Sequence, residues 1–253
     1  MIEVILRVRD GEGFAERAGS FPEEATVLDA LETLRARAEE AILRPGAPGA
    51  ASGQDLSAAP VPRMPHYRHS CHHGSCGTCG AVIDGLPSLM CLTRFTDLAA
   101  PRPREPGGPA RDPVRGPRGE LVVTLEPLVR GTVISGIAAR PTAALAGIPG
   151  EYSYLRPSDA AGGVRFEDCI ECGLCSSACP VAAPFLGPAA LAAVNRQREK
   201  DPGAAERMLD MAAGPDGVAA CERHLHCSRV CPQAVYPGKH IQLLRKALEG
   251  RTQ

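Results

Sequence analysis

Cys169, Cys172, Cys175 and Cys179 follow one another at steps of three, three and four residues, and Pro180 stands directly behind the last sulfur. Further along, Cys221, His224, Cys227 and Cys231 repeat the same steps, again closed by a proline, Pro232. The run C-x2-C-x2-C-x3-C-P gathers three thiolates round one cubane of iron and sulfide and sends the fourth to a different cluster. Two such runs force sulfurs far apart in sequence to meet in space, and that requirement limits the fold more than any apolar pattern in the chain. In the second run a histidine stands where a cysteine would be expected.

A third set lies earlier. Cys71, Cys76 and Cys79, followed at a distance by Cys91, have the C-x4-C-x2-C…C spacing of a plant-type [2Fe–2S] centre. A rhombic cluster needs three thiolates from one loop and a fourth from a neighbouring strand. Gly74, Gly77 and Gly80 are expected to take positive φ there and to aim backbone N–H groups at the sulfurs. A zinc ribbon would need two C-x2-C pairs on separate knuckles, and one half is missing.

The cysteine count then closes. Of 11 cysteines, Cys71, Cys76, Cys79 and Cys91 are assigned to the [2Fe–2S] cluster. By the crossover habit of paired runs, Cys169, Cys172 and Cys175 take a [4Fe–4S] cluster completed by Cys231. Cys179 crosses over to join Cys221 and Cys227, and three thiolates suit a [3Fe–4S] centre. His224 has two readings. It ligates a fourth iron, making a second [4Fe–4S], or it stands uncoordinated beside the [3Fe–4S]. His72, His73 and His226, in the same loops, are read as solvent-facing.

The 253 residues are enough for one large or two modest domains. A net charge of −1, from 28 basic and 29 acidic residues, gives no footprint for nucleic acid. Aromatics are 4% with no tryptophan, so small aliphatics must pack the core and the clusters must staple it. Tight cysteine spacing and an odd count speak for a reducing compartment over a disulfide framework. No apolar span is long enough for a bilayer, and Met1 to Arg9 reads as a strand, not a leader. The chain is expected to face the cytosol and to be soluble by itself.

In order, strands are expected at Ile2 to Arg9 and Phe14 to Phe21, then a helix capped by Thr26 and reaching about Leu43. Pro45 to Pro62 reads as a flexible insertion. Short strands at Ala81 to Ile83 and Ser88 to Leu92 flank an Asp84-Gly85 turn. Pro101 to Gly119 carries five arginines and reads as a solvated loop partly matched by Glu105, Asp112 and Glu120. Leu121 to Leu125 is a strand returning to the first domain. Beyond Val129 the pattern is read as helical, with helices at Thr142 to Ile148, Pro188 to Lys200, Ala204 to Met211 and Gly238 to Leu248. The expected class is α+β. A β-grasp, plant-type ferredoxin domain occupies residues 1–128, with insertions near 45–62 and 101–119. An α-helical, bacterial-type ferredoxin domain with two cubane-type clusters follows at 129–253.

The segment Arg68-His-Ser-Cys71, then Cys76-Gly-Thr-Cys79-Gly, Met90-Cys91-Leu-Thr, Cys169-Ile-Glu-Cys172, Gly187-Pro188-Ala-Ala-Leu and Cys221-x5-Cys227-x3-Cys231-Pro carry a resemblance. Over nearly its whole length the chain resembles the iron–sulfur subunit of succinate dehydrogenase and fumarate reductase, the complex II family. The resemblance implies a partner flavoprotein that oxidises succinate or reduces fumarate and contains FAD. It also implies a membrane cytochrome b or anchor subunit, a quinone acceptor, and a peripheral place on the cytoplasmic face of the membrane. This subunit would connect flavin and quinone through [2Fe–2S], [4Fe–4S] and [3Fe–4S] centres in that order, with no substrate chemistry of its own.

The chain departs from the family at a few positions. His224 sits where the family usually has an aliphatic residue. Positions that in many members hold quinone-contacting aromatic, histidine and lysine side chains hold Val181 and Ala182, Glu222 and Gln233. The segment from Cys179 to Gly187 is short. These changes leave open a menaquinone site, a site formed by the membrane subunit, or a haem acceptor. Two other readings compete: the same wiring beneath a different flavoprotein or hydrogenase-type partner, and a free multi-cluster carrier.

Overall fold

The computed structural model describes residues 1–43, 64–141 and 169–251. Strands β1 (Ile2–Asp10) and β2 (Gly13–Phe21) form an antiparallel hairpin. Along β1, Val4, Leu6 and Val8 point inward and the residues between them point out, the period-two pattern of a half-buried strand. Strand β7 (Leu121–Glu126) runs parallel to β1, with Val4 opposite Leu121 and Val8 opposite Leu125. Parallel neighbours cannot be joined by a tight turn. Everything between them is therefore the crossover: helix α1 (Val27–Leu43), the first cysteine loop, and the hairpin of β3 (Gly80–Ile83) and β4 (Leu86–Leu89). The sheet order is β2-β1-β7-β3-β4.

Helix α1 buries Val27, Leu28, Ala30 and Leu31 in this core. Thr26 starts it reciprocally. The Asp29 amide donates to Thr26 Oγ1 at 3.2 Å, and the Thr26 amide donates to Asp29 Oδ2 at 2.9 Å. A short helix, α2 (Phe95–Ala99), brings Phe95 onto Phe21 with ring centroids 5.7 Å apart.

Asp84 and Gly85 both have positive φ, +50° and +87°, as a two-residue hairpin turn of the primed kind requires. The turn uses only these two residues. β4 therefore begins at Leu86, two residues before the expected start, and Met90 and Cys91 have already left the sheet. The arginine-rich stretch is also more ordered than a solvated loop. It contains a small ladder of β5 (Arg102–Pro103) and β6 (Ala110–Arg111). Arg118 pairs with Glu120 at 2.7 Å, as expected, but Arg104 turns inward to Asp84 at 3.0 Å and gives its second nitrogen to the Asp112 carbonyl. The other oxygen of Asp84 accepts the Thr124 amide at 2.8 Å, so one carboxylate ties the hairpin turn to β7 and to the arginine stretch.

Beyond Val129 the chain is not helical up to Pro141. A hairpin of β8 (Gly131–Ser135) and β9 (Ala138–Pro141) stands there instead. The β-branched run Thr132-Val133-Ile134 and a positive-φ turn at Gly136 (+55°) favour strand over helix. The expected helix at Thr142 to Ile148 and the insertion at Pro45 to Pro62 lie outside the described residues.

The C-terminal part is helical: α3 (Leu174–Ser177), α4 (Pro188–Lys200), α5 (Ala205–Ala213), α6 (His226–Arg229) and α7 (Pro237–Arg251), with a 3-10 turn at Val218–Ala220. Pro188 occupies the first position of α4, where its missing N–H costs nothing. Leu191, Val194, Met208, Leu209, Ile241 and Leu244 form a second core. Asn195 is fully buried there with its amide shared among Glu199, Arg198 and His240. The α+β class holds, and the two parts meet: Leu174 belongs to the first core, with Ile170, Cys172 and Val230 packed against it.

The Asp84 joint gives a testable expectation. Asp84→Ala leaves Arg104 without its carboxylate and beside the like charge of Arg102, and the Thr124 amide without its acceptor. A loss of about 3 kcal/mol follows from breaking a buried pair from one side. That corresponds to a fall of roughly 6–12 °C in the unfolding midpoint by calorimetry. Asp84→Asn, which can still accept from Thr124 and tolerates positive φ, is expected to lose less.

Candidate functional site

The first sulfur group sits on the loop that enters β3 and on the turn that leaves β4. Sγ of Cys79 and Cys91 are 3.3 Å apart, and both side chains are buried. The Cys76 thiol and amide reach Cys71, and the Gly74 amide donates to the Cys91 sulfur. All four predicted cysteines of this set are thus in one place. Gly74 and Gly77 have the expected positive φ, +83° and +68°. Gly80 does not. It is the first residue of β3, and its reason for being glycine is closeness: a β-carbon there would stand 3.1 Å from the Cys172 carbonyl oxygen.

Cys169, Cys172, Cys175 and Cys231 line a second cavity with the apolar Ile170, Ala189 and Val235. Cys179, Cys221 and Cys227 line a third, with Val181, Phe185, Ile241, His224 and His226 around them. In both, sulfurs from the two runs meet across α3 and α6. Among the described residues no three His, Cys, Asp or Glu side chains close on a single ion. The sulfurs surround spaces instead.

One hydrogen-bond habit recurs. At Cys71, Cys169, Cys172 and Cys179 the amide two residues further on donates to the sulfur, from His73, Glu171, Leu174 and Val181. Such donors favour the thiolate and, in a cluster site, tune its potential. At Cys71 the amide of His73 and the hydroxyl of Ser75 hold the thiol down at about 5. Burial wins at the others. It pushes Cys91 up to about 12 and Cys172 up to about 11, and it raises Cys169, Cys175, Cys179 and Cys227. Buried thiols of this kind ionise when a bound cation takes the place of the proton, so assembly of a metal centre here releases protons. Thiol donors in apolar walls with amides aimed at them fit iron–sulfur clusters.

The three groups are close to one another. A β-carbon on Gly77, in the first loop, would lie 2.8 Å from the Cys172 β-carbon and 2.8 Å from the Ile170 carbonyl oxygen. Cys175 of the second group feels the charge of Cys227 of the third. Gln233, two residues after Cys231, donates to the Gly74 carbonyl at 3.0 Å and so points at the first loop.

Cysteine spacing carries no signal for two arginines at the third group. Arg245 clamps the carbonyls of Val218 and Cys221 at 2.6 and 2.5 Å, and Arg130 donates to the Val181 carbonyl. His72 bonds His69 at 3.0 Å, His73 bonds the Cys71 carbonyl and the Ser75 hydroxyl, and His226 lies 3.3 Å from the Ala178 carbonyl.

The Gly77 contact can be tested. Gly77→Ala sets a methyl against backbone that cannot rotate away, at a φ that disfavours any side chain. The expected loss is about 2–4 kcal/mol, read as a lower unfolding midpoint. Gly11→Ala, at a similar φ (+58°) with nothing within 4 Å, should show the backbone part alone.

Comparison with known proteins places this geometry. A family model described as a 2Fe-2S iron-sulfur cluster binding domain matches residues 18–138, and one described as a 4Fe-4S dicluster domain matches residues 165–235. The chain is 34% identical over 197 residues to the fumarate reductase iron-sulfur subunit of Mycobacterium tuberculosis, covering 70% of this chain and 71% of that one. It is 27% identical over 201 residues to a mitochondrial succinate dehydrogenase [ubiquinone] iron-sulfur subunit of Oryza sativa, covering 71% and 64%. Its fold matches a chain of the Mycobacterium smegmatis Sdh1 complex in the apo form with a TM-score of 0.63, over 99% of this chain and 97% of that one at 21% identity. Two cluster domains in this order, on a sheet followed by helices, and a third of residues shared over most of the length have one reading: the chain belongs to the family of iron–sulfur subunits of fumarate reductase and succinate dehydrogenase.

Proposed function

We propose that this chain carries electrons between an FAD-containing dehydrogenase subunit, acting on succinate or fumarate, and a membrane quinone. When bound, the clusters supply one-electron redox chemistry in series. Cys71, Cys76, Cys79 and Cys91 would hold the [2Fe–2S] cluster, and Cys169, Cys172, Cys175 and Cys231 the [4Fe–4S] cluster. Cys179, Cys221 and Cys227 would hold the third centre, with at least a [3Fe–4S] core. The single observation that carries the reading is the gathering of 11 cysteines into three neighbouring groups, with Gly77 seated on Cys172 and Ile170 between the first two.

The chain's own part is to bind, space and insulate. Amide donors aimed at the sulfurs favour their ionised form, and apolar side chains line the second and third groups. Attachment to the cytoplasmic face would come through an anchor subunit, and no described helix is long and apolar enough to cross a membrane. Leu225, half exposed beside the third group, offers that partner an apolar contact. The slot of the family's lysine is turned away: Gln233 bonds the first loop. A quinone would then be held mainly by the partner. The boundary between the domains, 1–128 and 129–253, belongs to the same proposal.

Cys172→Ser is the direct test. In the purified complex it should remove the [4Fe–4S] signal from the reduced-state EPR spectrum and leave the [2Fe–2S] signal. Succinate oxidation by a dye that accepts from flavin should persist, while quinone reduction falls to background. A complex whose flavoprotein has no dicarboxylate activity would overturn the choice of partner, and zinc in place of iron and sulfide would overturn the relay.

A further inference from the structure

We propose that His224 is the fourth ligand of the third centre, so that the site holds a [4Fe–4S] cluster on three cysteines and one imidazole. The proposal rests on the relay reading above and adds a ligand to it.

The backbone supports it first. In the first run Cys172 is flanked by two residues of positive φ, Glu171 at +51° and Gly173 at +77°, and α3 follows. In the second run His224 is flanked the same way, by Arg223 at +63° and Leu225 at +61°, and α6 follows. Neither flanking residue of His224 is glycine, and holding L-residues there costs about 1–2 kcal/mol each. The repeated turn presents residue 224 in the frame that presents the Cys172 sulfur to the second cavity.

The surroundings support it independently. His224 lines the same cavity as Cys179, Cys221 and Cys227. Its Nε2 is 2.9 Å from Glu222 Oε2, and Arg229 donates to its carbonyl at 3.0 Å, fixing the loop from the far side. A metal-bound imidazole nearly always gives its second nitrogen to a carboxylate or carbonyl, which orients the ring and raises its basicity. With Nε2 on Glu222, Nδ1 is the nitrogen left for iron. Imidazole binds cluster iron in Rieske centres, and as a neutral donor in place of a thiolate it raises the potential. The chemistry assigned to His224 is therefore that of a high-potential cubane at the quinone end of the relay.

Iron and sulfide analysis with EPR of the oxidised complex tests this. The wild-type complex should contain about ten cluster iron atoms per chain and no oxidised [3Fe–4S] signal. His224→Ala should lose about one iron and gain that signal. His224→Cys should keep all of the iron at a lower midpoint potential, which guards against a variant that merely misfolds. A wild-type complex with about nine irons and a full [3Fe–4S] signal would overturn the histidine ligand while leaving the relay intact. A wild-type complex with no third centre at all would overturn the relay reading itself.

Discussion

The seat of Gly77 on Ile170 and Cys172 is the contact on which the rest of the arrangement depends. It joins a loop that leads into a β-sheet with a loop that leads into a short helix, and there is no room between them for even one methyl group. Around it the first core crosses from one half of the chain to the other, with Leu174 buried among the strands' side chains. Electron exchange falls steeply with separation, so a chain that must pass electrons from one sulfur group to the next gains from letting backbones touch. Glycine is the residue that permits this. Gly80 repeats the device at the start of β3, against the Cys172 carbonyl.

Burial acts on the cysteines in a consistent direction. Burial raises the thiols of Cys169, Cys172 and Cys179, while amides two residues on oppose that rise. The balance leaves these three thiols neutral until a cation is offered. A chain with few aromatic side chains and short helices near its sulfurs gains much of its order from that cation. Ordering of the sulfur loops and cluster insertion are then coupled.

Much of this is legible in the sequence, and the exceptions have physical reasons. Cysteine spacing predicts which sulfurs share a cavity in the helical half, because the 3, 3, 4 steps wrap a loop and one short helical turn round each space. The starts of α1 and α4 are readable from Thr26 and Pro188, whose capping roles are local. The failures concern interactions that no local pattern encodes. Arg104 resembles a solvated charge because its partner, Asp84, lies on another hairpin and is buried. Gly80 resembles a turn glycine because sequence does not show what approaches it from a distant segment. The stretch after Val129 reads as helical only by association with the helices further along, although Thr132, Val133 and Ile134 are strand formers.

Gln233 reaches from just behind the second cysteine run to the carbonyl of Gly74. The first sulfur loop is thereby held by a residue near the far end of the chain. During synthesis the N-terminal sheet emerges well before that residue does. Until Gln233 is made, the loop lacks one of its supports and the carbonyl of Gly74 has only water for company. The sulfur loop whose four cysteines are made first thus gains this support only after both later cysteine runs have been made.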